Sequence, residues 1–134
     1  MESAFQFKNP ILTKLSLVVN DGFENNSDKI SINLGISTKA KRKTTSNEAL
    51  VELTLNIGDA NSNSPFVIRA TESAEFRWDN SLEPNVVEDL LKMNAPALLL
   101  SYLRPIIAQI TSSTKYGTYN IPYINFIKMN EKQD

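Results

Sequence analysis

The stretch Leu50-Val51-Glu52-Leu53-Thr54-Leu55-Asn56-Ile57 (residues 50–57) carries apolar side chains at 51, 53, 55 and 57, with Glu52, Thr54 and Asn56 between them. A period of two with one dry face is the pattern of a half-buried β-strand. Upstream, Ile30, Ile32, Leu34 and Ile36 alternate with Ser31, Asn33, Gly35 and Ser37 in the same way. Earlier still, Ile11, Leu15, Leu17 and Val19 place a strand over 11–19, with Thr13 fitting its apolar side less well. Downstream, Phe66, Ile68, Ala70, Ala74, Phe76 and Trp78 define a fourth strand; Glu72 falls on its apolar side and predicts a bulge or bend there. The links are turn-forming and polar, as in Asn20 to Asp28, Thr38 to Asn47 and Gly58 to Ser64, and show no helical pattern. Parallel strands need crossover helices, so this spacing predicts an antiparallel meander whose apolar face must be covered by the last third of the chain.

There the period changes. Asn85 with Glu88 three residues later predicts a short helix through Val87, Leu90 and Leu91, and Asn94 followed by Pro96 predicts a second helix start. Leu99, Leu103, Ile106 and Ile110 recur at steps of four, three and four, a helical stripe. Pro105 lies inside that stripe and is expected to kink it, because it donates no backbone hydrogen bond and crowds the carbonyl of Ser101. Gly117 and the segment 118–121 end the helix, and residues 130–134 read as a frayed tail. The predicted fold class is α+β, a four-stranded antiparallel sheet with C-terminal helices packed on one face. The 134 residues suit one core, hence a single domain over 1–134.

Composition excludes much chemistry. Cysteine and histidine are both absent, which removes thiolate nucleophiles, the usual general base near neutral pH and the usual zinc ligands. Neither an enzyme nor a metal or cofactor site is expected, and no residue is a catalytic candidate. Fourteen basic against 15 acidic residues leave a net charge of -1, so no field gathers nucleic acid. The basic run Lys39-Ala40-Lys41-Arg42-Lys43 falls in a predicted hairpin loop and reads as solvated charge. The acidic and amide loop 21–28 lacks calcium-loop spacing, and Asp79, Glu83, Glu88 and Asp89 read as helix-start charges. The start Met1-Glu2-Ser3-Ala4-Phe5 is no secretory signal and no run approaches the ~20 apolar residues that cross a bilayer, so the expected location is the cytoplasm, without membrane insertion.

The apolar surplus is more informative. Leu98, Leu99 and Leu100 stand in a row and Tyr102, Leu103, Ile106 and Ile107 follow, which is wider than one stripe facing one sheet. Periodicity alone favours a buried or dimer-forming helix over a ligand groove. Tyr116, Tyr119, Ile121, Tyr123, Ile124 and Phe126 add aromatic and aliphatic groups at extended spacing after that helix.

The run Leu91-Lys92-Met93-Asn94-Ala95-Pro96-Ala97-Leu98-Leu99-Leu100-Ser101-Tyr102-Leu103-Arg104, followed by Ile121-Pro122-Tyr123-Ile124-Asn125-Phe126, resembles the helical core of the SecB chaperones. Pro96, Leu99, Tyr102, Arg104, Asn125 and Phe126 fall at matching positions, and the start Phe5-Gln6-Phe7 is similar too. The resemblance implies a holdase that keeps unfolded precursor proteins competent for export, working as a homotetramer, a dimer of dimers. On that implication Leu99, Leu100, Leu103, Tyr119, Ile121, Tyr123 and Phe126 are candidate client contacts. Leu98, Tyr102, Ile106 and Ile107 are then candidate oligomer contacts. The family's implied partners include the SecA motor, yet Lys14, Val18 and Arg69 stand where SecA-docking members carry acids on the exposed sheet face. A basic or apolar side chain cannot replace a carboxylate that pairs with a cation. The alternative is a SecB-like module without SecA docking, dedicated to one partner such as an antitoxin, or phage-encoded.

Overall fold

The computed structural model describes residues 3–24, 31–60 and 63–133, with side chains to residue 129. The predicted turn at 25–28, the strand start at Ile30 and the loop centre at 61–62 lie outside the described residues. Among the described residues five strands form one antiparallel sheet: β1 (Phe5–Phe7), β2 (Ile11–Val19), β3 (Leu34–Arg42), β4 (Glu48–Ile57) and β5 (Phe66–Trp78). β3, β4 and β5 make the expected meander, while β2 and β1 both pair with β5 on its other side. The sheet therefore has five strands where four were expected. The fifth, Phe5-Gln6-Phe7, is too short to show a period. Pairing of Phe5 with Trp78 and of Phe7 with Phe76 holds it, with ring centroids 5.3 Å and 6.0 Å from that of Phe76.

The second run of alternation is placed differently from its reading. β3 begins at Leu34 and continues through the basic run to Arg42, so Lys39 and Lys41 lie on a strand rather than in a loop. Register with β4 explains this: Ala40 stands opposite Val51 and Arg42 opposite Ala49, and the Arg42 guanidinium lies 5.2 Å from the centre of the Trp78 ring.

The irregularity predicted at Glu72 sits in the neighbouring strand. β5 runs unbroken, whereas the pairing of β2 shifts between Leu12 and Lys14, opposite Glu72 and Thr71. Thr13 is the extra residue, and its hydroxyl donates to the Thr71 carbonyl at 3.3 Å. An extra residue reverses side-chain parity, so Leu12 and Leu15 share one face instead of Ile11 and Leu15.

Glu72 itself is 2% exposed, on the helix-bearing face between Leu12 and Leu53 of the flanking strands, and one carboxylate oxygen has no hydrogen-bond partner. Burial pushes its carboxyl above the ordinary value of 4.5. Because the folded state holds the proton more tightly, the group favours folding when protonated and loses that contribution as pH rises through its folded value. Glu72→Met should therefore stabilise the chain by about 1 kcal/mol or more near neutrality, a gain that shrinks as the pH falls towards about 4. Urea melts of both proteins across that range provide the measurement, and a gain that grows on acidification would refute the assignment.

The helical third starts at α1 (Pro84–Asp89), passes through a π-helical turn at Leu90–Asn94 and continues as α2 (Ala95–Ser112); α3 (Phe126–Gln133) closes the chain. Helix α1 begins at Pro84 rather than through an Asn85 capping box, since proline fits the first helical position and lacks the N–H that would need a partner. The expected second start is a continuation: the π turn carries α1 into α2, with Pro96 in the first turn of α2. Helix α2 stays helical through Pro105. The expected frayed tail is helical to Gln133, because the Asn125 side-chain oxygen accepts from the amides of Ile127 and Lys128 at 3.0 and 3.2 Å. Helix α2 packs over β4 and β5, and α3 packs on the π turn.

One apolar cluster lies between the layers. It joins Val51, Leu53, Leu55 and Ile57 of β4, Phe66, Ile68 and Phe76 of β5, and Leu99, Leu103 and Ile107 of α2. No helix among the described residues is long and apolar enough to cross a membrane.

Candidate functional site

The predicted client and oligomer residues divide sharply by exposure. Leu99, Leu100, Leu103 and Ile107 point into the core, as do Ile121 and Phe126. Leu98, Tyr102 and Ile106, at steps of four, form the outer stripe of the same helix; Leu98 and Ile106 are half-buried and Tyr102 is 38% exposed. The periodicity thus defines two stripes, one turned to the sheet and one facing away. Ile107 belongs to the inner one.

The segment after α2 has no regular secondary structure and is fastened at two points. Thr111, fully buried, donates to the carbonyl of Ile107 at 2.7 Å and accepts from the amide of Tyr119 at 2.8 Å, so its hydroxyl is satisfied in both senses. Arg104 then donates through its two terminal nitrogens to consecutive carbonyls, Ile121 at 2.5 Å and Pro122 at 3.1 Å. The planar fork of a guanidinium suits that double contact in a way that an ammonium does not. On the clamped, irregular backbone Ile121 turns inward and is buried, whereas Tyr123 stands 85% exposed. Tyr119 is half-buried, edge-on to Phe66 with ring centres 6.2 Å apart, and burial raises its phenol above the ordinary value.

A run of exposed aliphatic side chains lies where the residue pattern pointed least, on β2. Ile11, Leu12, Leu15 and Val18 are all exposed, Val18 to 66%, and Phe7 of β1 is exposed beside them. Leu12 and Leu15 face the helix side, paired across from Glu72 and Ala70, at a margin of the sheet that α2 does not span. Ile11 and Val18 face the other side, across from Ser73 and Val67. The outer edge of β2 has no strand partner among the described residues. An apolar edge strand of nine residues, interrupted by Lys14 and Ser16, is a template for another chain. Its signal in the sequence is the apolar pair Leu12 and Val18 on the positions that simple alternation assigns to water.

What the arrangement offers is hydrophobic surface of three kinds. These are the sheet margin at Leu12 and Leu15, the outer stripe of α2, and the exposed Tyr123 on its clamped segment. Comparison with known proteins places the chain in a family. A curated protein-export protein SecB from Anaplasma phagocytophilum is 38% identical over 55 residues, which is 41% of this chain and 35% of that protein, so the matched stretch spans about a third of the relative's length. The fold is similar to that of a SecB-like chaperone of Mycobacterium tuberculosis, solved in complex with a ChAD peptide from an antitoxin, with a TM-score of 0.72 and 10% identity over 90% of this chain and 91% of that one. A crystal structure of a protein of unknown function from Streptococcus agalactiae aligns with a TM-score of 0.48 and 14% identity, covering 89% of this chain and 97% of that one. The family model described as preprotein translocase subunit SecB matches residues 12–134, from the edge strand to the last helix, and the chain belongs to the SecB family.

Proposed function

We propose that this protein is a holdase of the SecB type that binds unfolded polypeptides in the cytoplasm before export, without catalysing a reaction. The observation that carries the reading is the exposed apolar margin of β2, with Leu12 and Leu15 on the helix side and an outer edge that pairs with no strand among the described residues. Clients meet that margin and Tyr123, while Leu99, Leu100, Leu103, Ile121 and Phe126 act from behind by fixing the helix and the clamped segment. The outer stripe Leu98, Tyr102 and Ile106 is the surface on which protomers associate as a dimer of dimers.

Energetics favour many weak subsites. Burying ~400 Å² of client apolar surface yields about 10 kcal/mol gross, and ordering about six client residues costs roughly 6–12 kcal/mol. One subsite therefore holds a client loosely, and useful retention comes from linking several across an assembly. A second reading, a module serving one folded partner such as an antitoxin, is favoured by Lys14, Val18 and Arg69 on the face through which SecA-docking relatives present acids. SecA is no partner on that reading.

Light scattering from a reduced, unfolded client tests the holdase. At stoichiometric amounts the protein should suppress aggregation, and Leu12→Ser with Leu15→Ser together should weaken suppression about tenfold, in line with the loss of two exposed leucines from a binding surface. Undiminished aggregation with the unaltered protein sinks the proposal. A pull-down that returns one folded partner and no unfolded chains selects the dedicated module instead.

A further inference from the structure

We propose that the face of the sheet turned away from the helices is a docking groove for an extended acidic polypeptide segment. An open depression of about 260 Å³ lies there across β2, β5, β4 and β3, lined by Lys14, Arg69 and Lys39 around Thr71, Thr54 and Glu52. Register brings these groups together from four strands: Lys14 stands opposite Thr71, Thr71 opposite Thr54, and Lys39 opposite Glu52. The bulge at Thr13 is what allows Lys14 to point to this face while Leu12 and Leu15 point to the other.

Charge on this face is unevenly matched. Towards one end the carboxylates are engaged: Glu75 pairs with Lys8 at 3.0 Å, and Glu48 pairs with Lys43 at 3.3 Å and accepts from Ser46 at 2.9 Å, contacts that hold the Glu48 carboxyl below its ordinary value. In the depression three cations face one carboxylate, and among the described residues Lys14, Lys39 and Arg69 enter no ion pair. The hydroxyls of Thr54 and Thr71 lie 2.9 Å apart and share one O–H between them, which leaves the other O–H available to a carboxylate oxygen. Ile11 and Val18, both exposed, flank Lys14 on this face and fit aliphatic side chains between the acids of an extended segment.

Acidic polypeptide fits better than nucleic acid. No aromatic ring lines the depression to stack a base, the cationic patch is short, and the chain as a whole is slightly acidic. The inference concerns the face opposite Leu12 and Leu15 and stands whether or not the chain is a holdase.

Fluorescence anisotropy with a fluorescein-labelled decapeptide in which Glu and Val alternate at the odd positions with Ser between them, so that acids and valines share one side of the extended chain, tests it. Binding should be saturable at about 50 mM salt and weaken about tenfold by about 300 mM, as screening of a surface contact requires. Lys14→Glu with Arg69→Glu should weaken it by at least about tenfold, whereas Lys128→Glu, on α3, should leave it unchanged. Should the charge-reversed protein not fold, Lys14→Gln with Arg69→Gln serves in its place. Absent saturation at low salt, equal affinity in the substituted protein, or tighter binding of a single-stranded DNA decamer overturns the proposal. Client aggregation assays on the Lys14 and Arg69 variants read the other face, so failure here and failure of the holdase reading are separable.

Discussion

Leu103→Ala is expected to lower stability by about 2–5 kcal/mol, the range for truncating a buried leucine whose cavity does not fully collapse. The side chain is fully buried where α2 meets the sheet, among residues of the central cluster. For a domain of this size each kcal/mol moves the melting temperature by roughly 3–5 °C, so a fall of roughly 6–25 °C should appear in a thermal melt. Tyr102→Ala, one position away on the outer stripe, is the internal contrast: at concentrations that leave protomers apart it should cost under about 1 kcal/mol. If the two substitutions cost the same under those conditions, the division of α2 into an inner and an outer stripe is wrong. The contrast bears on function, because it separates residues that build the scaffold from residues that can meet another chain.

Gly58→Ala should be nearly as damaging, by about 2–4 kcal/mol, through backbone geometry alone. Gly58 ends β4 with φ of +79°, and its amide donates to the Asn33 carbonyl at 2.8 Å. A β-carbon there would lie 2.1 Å from the carbonyl oxygen of Phe66 at the start of β5, a backbone atom held in the sheet. Gly117 shares the left-handed conformation, with φ of +84°, but a β-carbon meets nothing within 4 Å. Gly117→Ala should therefore cost about 1 kcal/mol, the conformational part alone. Chemical denaturation of both variants isolates the clash as the difference between them, and equal losses would show that the close approach to Phe66 relaxes freely.

The two substitutions mark how far local pattern reaches. That Leu103 belongs to a helical stripe follows from spacing, since Leu99 and Leu103 recur at a helical step, although the structure continues that stripe through Ile107 rather than Ile106. That Gly58 lies in a turn follows from the cluster of turn formers around it. Which side of α2 meets the sheet, and how near Phe66 comes to Gly58, depends on elements distant in the chain. The same limit shifted β3: Ile30 to Ile36 shows alternation, but the strand extends to Arg42 because β4 offers partners that far. Candidate residues sorted likewise. Tyr102, Leu98 and Ile106 lie outward and Tyr123 is open to solvent, whereas Leu99, Leu100, Leu103, Ile121 and Phe126 are enclosed. The exposed aliphatic side chains of β2 escape a reading by period, because Leu12 and Val18 look like exceptions to a period of two.

By itself the sequence determined the α+β class, the number and kind of the long elements, the absence of histidine and cysteine chemistry, and the helical motif through which the family is recognised. Each of these is local, since period, turn formers and residue types act over a few neighbours. The tertiary structure alone decided that β2 and β1 flank β5, that a bulge at Thr13 turns Leu12 with Leu15 to one face and Lys14 with Val18 to the other, and that Glu72 is enclosed with one carboxylate oxygen unpartnered. Strand order and register are chosen by pairing free energies summed over the whole sheet. A one-residue change of register exchanges the faces of an entire strand, so those choices, and the surfaces they create, cannot be read from any one stretch of residues.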